Sequence, residues 1–162
     1  MSKEYKIVTV SDRKPREWYY LYDEFYKSLK DEAANVLILS PELMGQRFNG
    51  LGTKPKWLYR AIKEKMINTP YIIFTDSWDM VFAERPQLMM EFLGDEPLVI
   101  SAERNCFPED CKEGFDKLEA TSSFKYLNSG FIVGKTEALL AVLEAMDLPN
   151  QPEDHRLSLI HI

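Results

Sequence analysis

The stretch that decides the fold is Tyr71-Ile-Ile-Phe-Thr-Asp76-Ser-Trp-Asp79-Met-Val-Phe82. Five residues of high β-propensity run directly into two carboxylates three positions apart, which predicts a buried strand, Tyr71–Thr75, that ends at Asp76. In open α/β sheets the ligand crevice lies outside the carboxyl ends of the strands. Two hard oxygen donors there can hold Mg²⁺ or Mn²⁺ and leave coordination positions for phosphate oxygens. On this segment alone a structural role stays open, with Asp76 capping a turn and Asp79 solvated.

The segments around this strand alternate between short β-type runs and windows with helical spacing, which is typical of parallel sheets covered by helices. The expected fold class is therefore α/β. The predicted strands are Tyr5–Val10, Asn35–Leu39, Tyr71–Thr75, Leu98–Ala102 and Phe131–Val133. The predicted helices cover residues 18–29, 57–66, 86–93 and 136–146, with another beginning at 152, a loop over 40–55 and a polar excursion over 104–123. No repeat or linker divides the chain, so we expect one domain.

Length and composition exclude several classes of protein. The chain has 162 residues, 45% of them hydrophobic and 28% charged, which is typical of one globular domain. Its net charge of −6 argues against nucleic acid or an anionic membrane as a partner. We find neither a signal peptide nor a membrane-spanning run, so the expected location is cytoplasmic. Cys106 and Cys111 lack the second pair that a zinc site needs, and they are either ordinary thiols or a small disulfide.

A second candidate segment is Gly50-Leu-Gly52-Thr-Lys54-Pro-Lys56-Trp57. Its glycines permit close backbone approach, and its two lysines stand just before a predicted helix N-terminus, a place that favours anions. The segment therefore predicts a phosphate site. The spacing of a Walker P-loop is absent, and a flexible loop with solvated lysines is the alternative.

A third candidate segment is Tyr126-Leu-Asn128-Ser129-Gly130-Phe-Ile-Val-Gly134. Asn128 and Ser129 are small and polar, so they suit sugar hydroxyl groups, but ordinary turn residues are the alternative. Glu103 follows another predicted strand, and such a carboxylate can steer a sugar or activate a hydroxyl group. Trp78 lies between the two candidate metal ligands, where an indole ring can stack on a base.

Taken together and in this order, five segments resemble the glycosyltransferase domain of the multifunctional procollagen lysyl hydroxylases. A looser resemblance extends to procollagen galactosyltransferases and to related microbial and viral enzymes. The segments are Ile7–Val10, Gly50–Leu58, Phe74–Ala83, Ser101–Pro108 and Tyr126–Ile132, and the resemblance runs from about Tyr5 to Arg156. It implies a GT-A-type (Rossmann-like), mostly parallel sheet flanked by helices, with a UDP-sugar as donor and Mn²⁺ (or Mg²⁺) as cofactor.

The resemblance also implies roles for residues near the metal and the nucleotide. Asp76 and Asp79 match the D-x-x-D acids that bind the metal, and Asp76 also borders the nucleotide-sugar. Trp78 matches an aromatic residue that stacks on uracil, although a tyrosine is common there in animal members. Thr9 falls at the nucleotide-contacting end of the first strand, and Lys54 matches a lysine beside the nucleotide.

Further matches concern the sugar and the acceptor. Glu103, Asn128 and Ser129 match positions that line the donor-sugar or acceptor side. Glu153 and Asp154 match an acidic pair that opens a late helix near the reaction centre. For the catalytic group on the acceptor side, Asp154 is the first candidate and Glu103 the second.

The C-terminal end of the chain departs from the family pattern. Residues 157–162 resemble an in-frame translation of a sequencing-library adapter, so we expect a glycosyltransferase domain over 1–156 followed by a non-native tail; a short natural tail is the alternative. The family takes a further metal ligand from a downstream histidine in an H-G-N-G-like segment, which this chain does not contain. We therefore expect weaker ion binding and little turnover from this chain.

The sequence thus predicts a metal-dependent glycosyltransferase that moves a hexose from a UDP-sugar to a hydroxyl acceptor. One alternative is a sugar-nucleotide-binding module without turnover. The other is a Mg²⁺-dependent phosphohydrolase, but those enzymes generally pair D-x-D rather than D-x-x-D.

Overall fold

A computed structural model describes residues 4–12, 20–77, 80–106, 112–117 and 121–148. Its centre is a five-stranded sheet with the strand order β2-β1-β3-β5-β4. The strands are β1 (Tyr5–Val10), β2 (Val36–Leu39), β3 (Tyr71–Thr75), β4 (Leu98–Glu103) and β5 (Tyr126–Lys135). Strand β1 pairs in parallel with β2 and β3, whereas β5 is antiparallel to both of its neighbours, β3 and β4. The sheet is therefore mixed, with β5 alone reversed, and the prediction of an α/β fold is confirmed.

Six α-helices accompany the sheet in the described part of the chain. They are α1 (Tyr20–Leu29), α2 (Pro41–Met44), α3 (Thr53–Lys63), α4 (Gln87–Leu93), α5 (Lys112–Asp116) and α6 (Thr136–Ala145), and a 3₁₀ helix covers Lys30–Asn35. None of the helices in these ranges is long and apolar enough to cross a membrane.

The sheet buries apolar side chains on both faces because successive residues of a strand point to opposite sides. On one face Val8, Phe74 and Ile132 join the cluster that contains residues of α3 and α6. On the other face Ile7 and Ile73 pack with residues of α1 and α4. The two-sided burial explains why β1 and β3 are almost continuously apolar in sequence.

The largest differences from the sequence prediction concern three segments. The predicted loop over residues 40–55 contains α2 and the start of α3, and the predicted polar excursion over 104–123 contains α5. Helix α2 is too short to show an apolar period, but Ser40 caps it by accepting a hydrogen bond from the Leu43 amide at 3.4 Å, and Gly45 ends it at φ 65°. The predicted strand Phe131–Val133 extends to Tyr126–Lys135, because β5 is paired on both sides.

Gly134 shows how closely β5 packs against the segment before β4. A Cβ atom on Gly134 would lie 2.5 Å from the Pro97 carbonyl oxygen and 2.7 Å from the Leu98 Cα atom. Because both contacts are backbone atoms, the sheet itself would have to move. Gly134→Ala is therefore expected to lower the free energy of unfolding by about 1–3 kcal/mol, as measured by urea denaturation.

The control for this prediction is Gly114→Ala in α5, where no atom lies within 4 Å of the added Cβ. Alanine has a higher helix propensity than glycine, so this variant is expected to be as stable as the wild type or more stable by up to about 1 kcal/mol. Equal stability of the Gly134 variant and the wild type would contradict the close approach of the two segments.

Candidate functional site

Lys54 and Asp76 form an ion pair at the carboxyl edge of the sheet. Asp76 follows directly after β3, and Lys54 lies in the first turn of α3. The side chain of Lys54 is 17% exposed and that of Asp76 is 34% exposed, so solvent screens the pair only in part. The N-terminus of α3 adds partial positive charge beside the lysine, and Asp76 is the anion that offsets it. The structure thus joins two residues that the sequence analysis placed in separate motifs.

Hydrogen bonds through Gly130 of β5 connect Asn128 to Asp76. The Asp76 amide donates to the Gly130 carbonyl oxygen at 2.8 Å, and the Gly130 amide donates to Asn128 Oδ1 at 2.7 Å. A Cβ atom on Gly130 would lie 2.8 Å from Asn128 Oδ1 and 2.9 Å from Asp76 Oδ2. The missing side chain therefore leaves room in which two hard oxygen atoms converge.

Two threonines lie at the same edge of the sheet, on the face opposite Asp76. Thr9 of β1 is in register with Thr75 of β3, and both residues are fully buried. Within the described residues, neither hydroxyl group has a hydrogen-bond partner. Unpartnered buried hydroxyls are unfavourable for folding, so this pair is a polar feature that packing alone does not explain. Thr9 was predicted to contact the nucleotide, and that role stays a prediction.

Glu103 and Ser129 lie at the same edge of the sheet as Asp76 and Asn128. Glu103 is the last residue of β4, is half-buried, and pairs with Tyr126. It follows Ser101 by two residues on the same face of the strand, at a distance of about 7 Å along the chain. Ser129 lies between Asn128 and Gly130 in β5. The sugar and acceptor roles of Glu103 and Ser129 stay predictions.

Helix α5 is attached to the start of β5 beside Glu103. Lys125 donates to Asp116 Oδ1 at 2.6 Å, and the Tyr126 hydroxyl donates to the same oxygen at 3.0 Å. These bonds, first that from Lys125 and then that from Tyr126, lower the pKa of Asp116. They connect the segment between β4 and β5 to the edge of the sheet that carries the candidate residues.

Several predicted residues fall outside the described part of the chain. Trp78 and Asp79 lie in the gap at residues 78–79, and Glu153 and Asp154 lie beyond 148. The proposed second metal ligand, the stacking aromatic residue and the first catalytic candidate therefore stay predictions. Among the described residues, no three His, Cys, Asp or Glu side chains form a group that could hold a metal ion.

Comparison with known proteins decides the family. A family model described as PLOD GT domain matches residues 2–158, which is nearly the whole chain. The chain belongs to this family. The PLOD-type domain is a glycosyltransferase domain, and the resemblance inferred from the five segments is confirmed. No curated protein matches the chain.

The structure of this PLOD-type domain adds three residues that the sequence analysis did not single out. They are Gly130, which makes room for the two oxygens, Thr75, which faces Thr9, and Ser101, whose hydroxyl donates to the Asn128 carbonyl oxygen at 2.8 Å. A signal for Thr75 was present, because each of the two apolar strands has a threonine at or next to its last position, Thr75 in β3 and Thr9 in β1. Nothing local in the sequence distinguishes Ser101 or Gly130, since their importance depends on pairing across the sheet.

Proposed function

We propose that this domain transfers a hexose from a UDP-sugar to a hydroxyl acceptor with the help of a divalent cation. The observation that carries the proposal is the convergence of Lys54, Asp76 and Asn128 around Gly130 at the carboxyl edge of the sheet. This edge is where α/β sheets bind ligands. The arrangement offers a cation, a carboxylate and an amide to one ligand, which suits a sugar linked to a diphosphate.

The chemistry of Asp76 fits a hard divalent cation. Its Oδ2 atom faces the space beside Gly130, next to a second oxygen, Asn128 Oδ1. Carboxylate and carbonyl oxygens are the ligands that Mg²⁺ and Mn²⁺ prefer. We assign the ion to Asp76 and Asp79, where it would act as a Lewis acid that neutralises charge on the departing UDP.

Lys54 has two partners in this proposal. Without ligand its ammonium group neutralises Asp76, as the ion pair indicates. With a nucleotide bound, Lys54 would hold the diphosphate, a role supported by the N-terminus of α3, which favours an anion at the same corner. The two opposite charges therefore neutralise each other until the diphosphate binds to Lys54 and the cation binds to Asp76.

The remaining residues orient the substrates. Asn128 and Ser129 would bind sugar hydroxyl groups. Trp78 would stack on the base. Asp154 or, as the second candidate, Glu103 would take the proton from the acceptor hydroxyl group. These residues act by orientation and proton transfer, which lower the barrier by fixing reactants in attack geometry.

The test is a titration of the wild-type chain with UDP, UDP-hexoses and simple phosphomonoesters, each with and without Mn²⁺. We expect UDP and UDP-hexoses to bind only with Mn²⁺, and phosphomonoesters neither to bind nor to be hydrolysed. Phosphomonoester hydrolysis would instead support a phosphohydrolase. Binding of UDP without any release of hexose, also in a chain extended by the family's downstream histidine segment, would support a binding module.

A further inference from the structure

Strand β5 separates from β4 at the candidate site. Ile100 pairs with Ile132, but the next residue of β4, Ser101, pairs with Asn128. One step along β4 thus corresponds to four positions along β5, and residues 129–131 of β5 have no partner in β4. On its other side β5 stays paired with β3 as far as Phe131, which faces Thr75. We call Ser129–Phe131 the β5 bulge; bulges of this kind are common next to active sites, where they redirect side chains.

Ser101 lies at the point where the bulge begins. Its hydroxyl donates to the carbonyl oxygen of Asn128 at 2.8 Å, and the bond is partly buried. Asn128 is the last residue of β5 that pairs with β4 before the bulge. The hydroxyl therefore fixes the backbone of β5 at the position from which the Asn128 side chain projects.

The bulge is also held by hydrogen bonds to Asn128 and Asp76 of the candidate site. Gly130 donates its amide to Asn128 Oδ1 at 2.7 Å and accepts from the Asp76 amide at 2.8 Å. With Oδ1 engaged, Asn128 has its Nδ2 group left to donate to a ligand. The bonds connect Ser101, Asn128, Gly130 and Asp76 in one chain that begins outside the candidate site and ends in it.

We propose that Ser101 is a positioning residue: its hydroxyl fixes the β5 bulge and thereby sets the Asn128 amide and the Asp76 carboxylate for binding. The proposal rests on the proposed function, since it takes a UDP-hexose with Mn²⁺ as the ligand of the site. If the bulge moved, the Asn128 side chain would move with it. Binding needs the amide group of Asn128 at one position, so a hydroxyl that fixes the bulge favours binding.

The test compares three variants of the full chain. Ser101→Ala removes the hydroxyl. Ser101→Thr keeps it and adds one methyl group at a half-buried strand position, where a β-branched residue is favourable. The matched control is Thr136→Val. Thr136 makes the same kind of bond beyond the other end of β5, from its hydroxyl to the Thr69 carbonyl oxygen at 2.8 Å. Two quantities are measured: the affinity for UDP-hexoses in Mn²⁺ by calorimetry, and the exchange rate of the Gly130 amide by NMR.

We expect Ser101→Ala to weaken UDP-hexose binding by about tenfold, the equivalent of one lost hydrogen bond. The same variant should speed exchange of the Gly130 amide relative to the wild type. Ser101→Thr should keep wild-type affinity and exchange, and Thr136→Val should keep both even if it unfolds at a lower temperature.

Wild-type affinity and exchange in Ser101→Ala would overturn the proposal. An equal loss of affinity in Ser101→Thr would also overturn it, because the size of the side chain would then be the cause. An equal loss in Thr136→Val would do the same, because general destabilisation would then be the cause. If the wild-type chain does not bind UDP-hexoses, the proposed function fails. The Gly130 exchange rates then decide on their own whether Ser101 fixes the bulge.

Discussion

Asp76→Asn is expected to weaken UDP binding in Mn²⁺ by on the order of a hundredfold, because a cation loses a charged ligand worth several kcal/mol. The substitution keeps the size of the side chain and the backbone bond from residue 76 to Gly130. It removes the negative charge that faces Lys54 and the space beside Gly130. Calorimetric titration with UDP at fixed Mn²⁺, repeated without metal, measures the effect.

The loss should be confined to binding. Asp76 is about one-third exposed, so its ion pair with Lys54 is partly screened, and the free energy of unfolding should change by about 1 kcal/mol or less. The control is Asp95→Asn, an exposed aspartate in the turn after α4, which should bind UDP like the wild type. Unchanged affinity in the Asp76 variant, or the same loss in the Asp95 variant, would contradict the role of Asp76.

The sequence predicted best the elements whose own residues determine them. Strands β1 and β3 have the predicted bounds, because each is a short run of β-formers that is buried on both faces. Strand β5 was predicted too short, since Asn128, Ser129 and Gly130 have low β-propensity. This part of the strand is held by distant residues: Asn128 pairs with Ser101 of β4, and the Gly130 carbonyl oxygen accepts from the Asp76 amide. Partners that lie far away in the chain leave no local periodicity to detect.

The same distinction applies to the candidate site. Asp76 and Lys54 were identified because a carboxylate after a strand and a lysine at a helix start are local patterns. Their ion pair joins positions 22 residues apart, and no spacing rule predicts it. Gly130 was quoted in a motif without a role, because its role is the absence of a Cβ atom beside side chains that only the folded sheet brings close.

Gly130→Ala is the second substitution with a large expected effect. The added Cβ would meet Asn128 Oδ1 at 2.8 Å and Asp76 Oδ2 at 2.9 Å, and the backbone of Gly130 is held by hydrogen bonds at both its amide and its carbonyl group. The two side chains therefore have to turn away. We expect UDP affinity in Mn²⁺ to fall by on the order of tenfold to a hundredfold, the equivalent of about 1.4–2.7 kcal/mol.

Comparison with the other glycine variants separates damage to the site from damage to the fold. At Gly130 the clash is with side chains that can rotate, whereas at Gly134 it is with the backbone of Pro97 and Leu98. Gly130→Ala should therefore lose more affinity and less stability than Gly134→Ala, and Gly114→Ala should lose neither. If Gly130→Ala bound UDP like the wild type, the carboxylate of Asp76 and the amide of Asn128 would not need their present positions. The space beside Gly130 would then not be where the nucleotide-sugar is held.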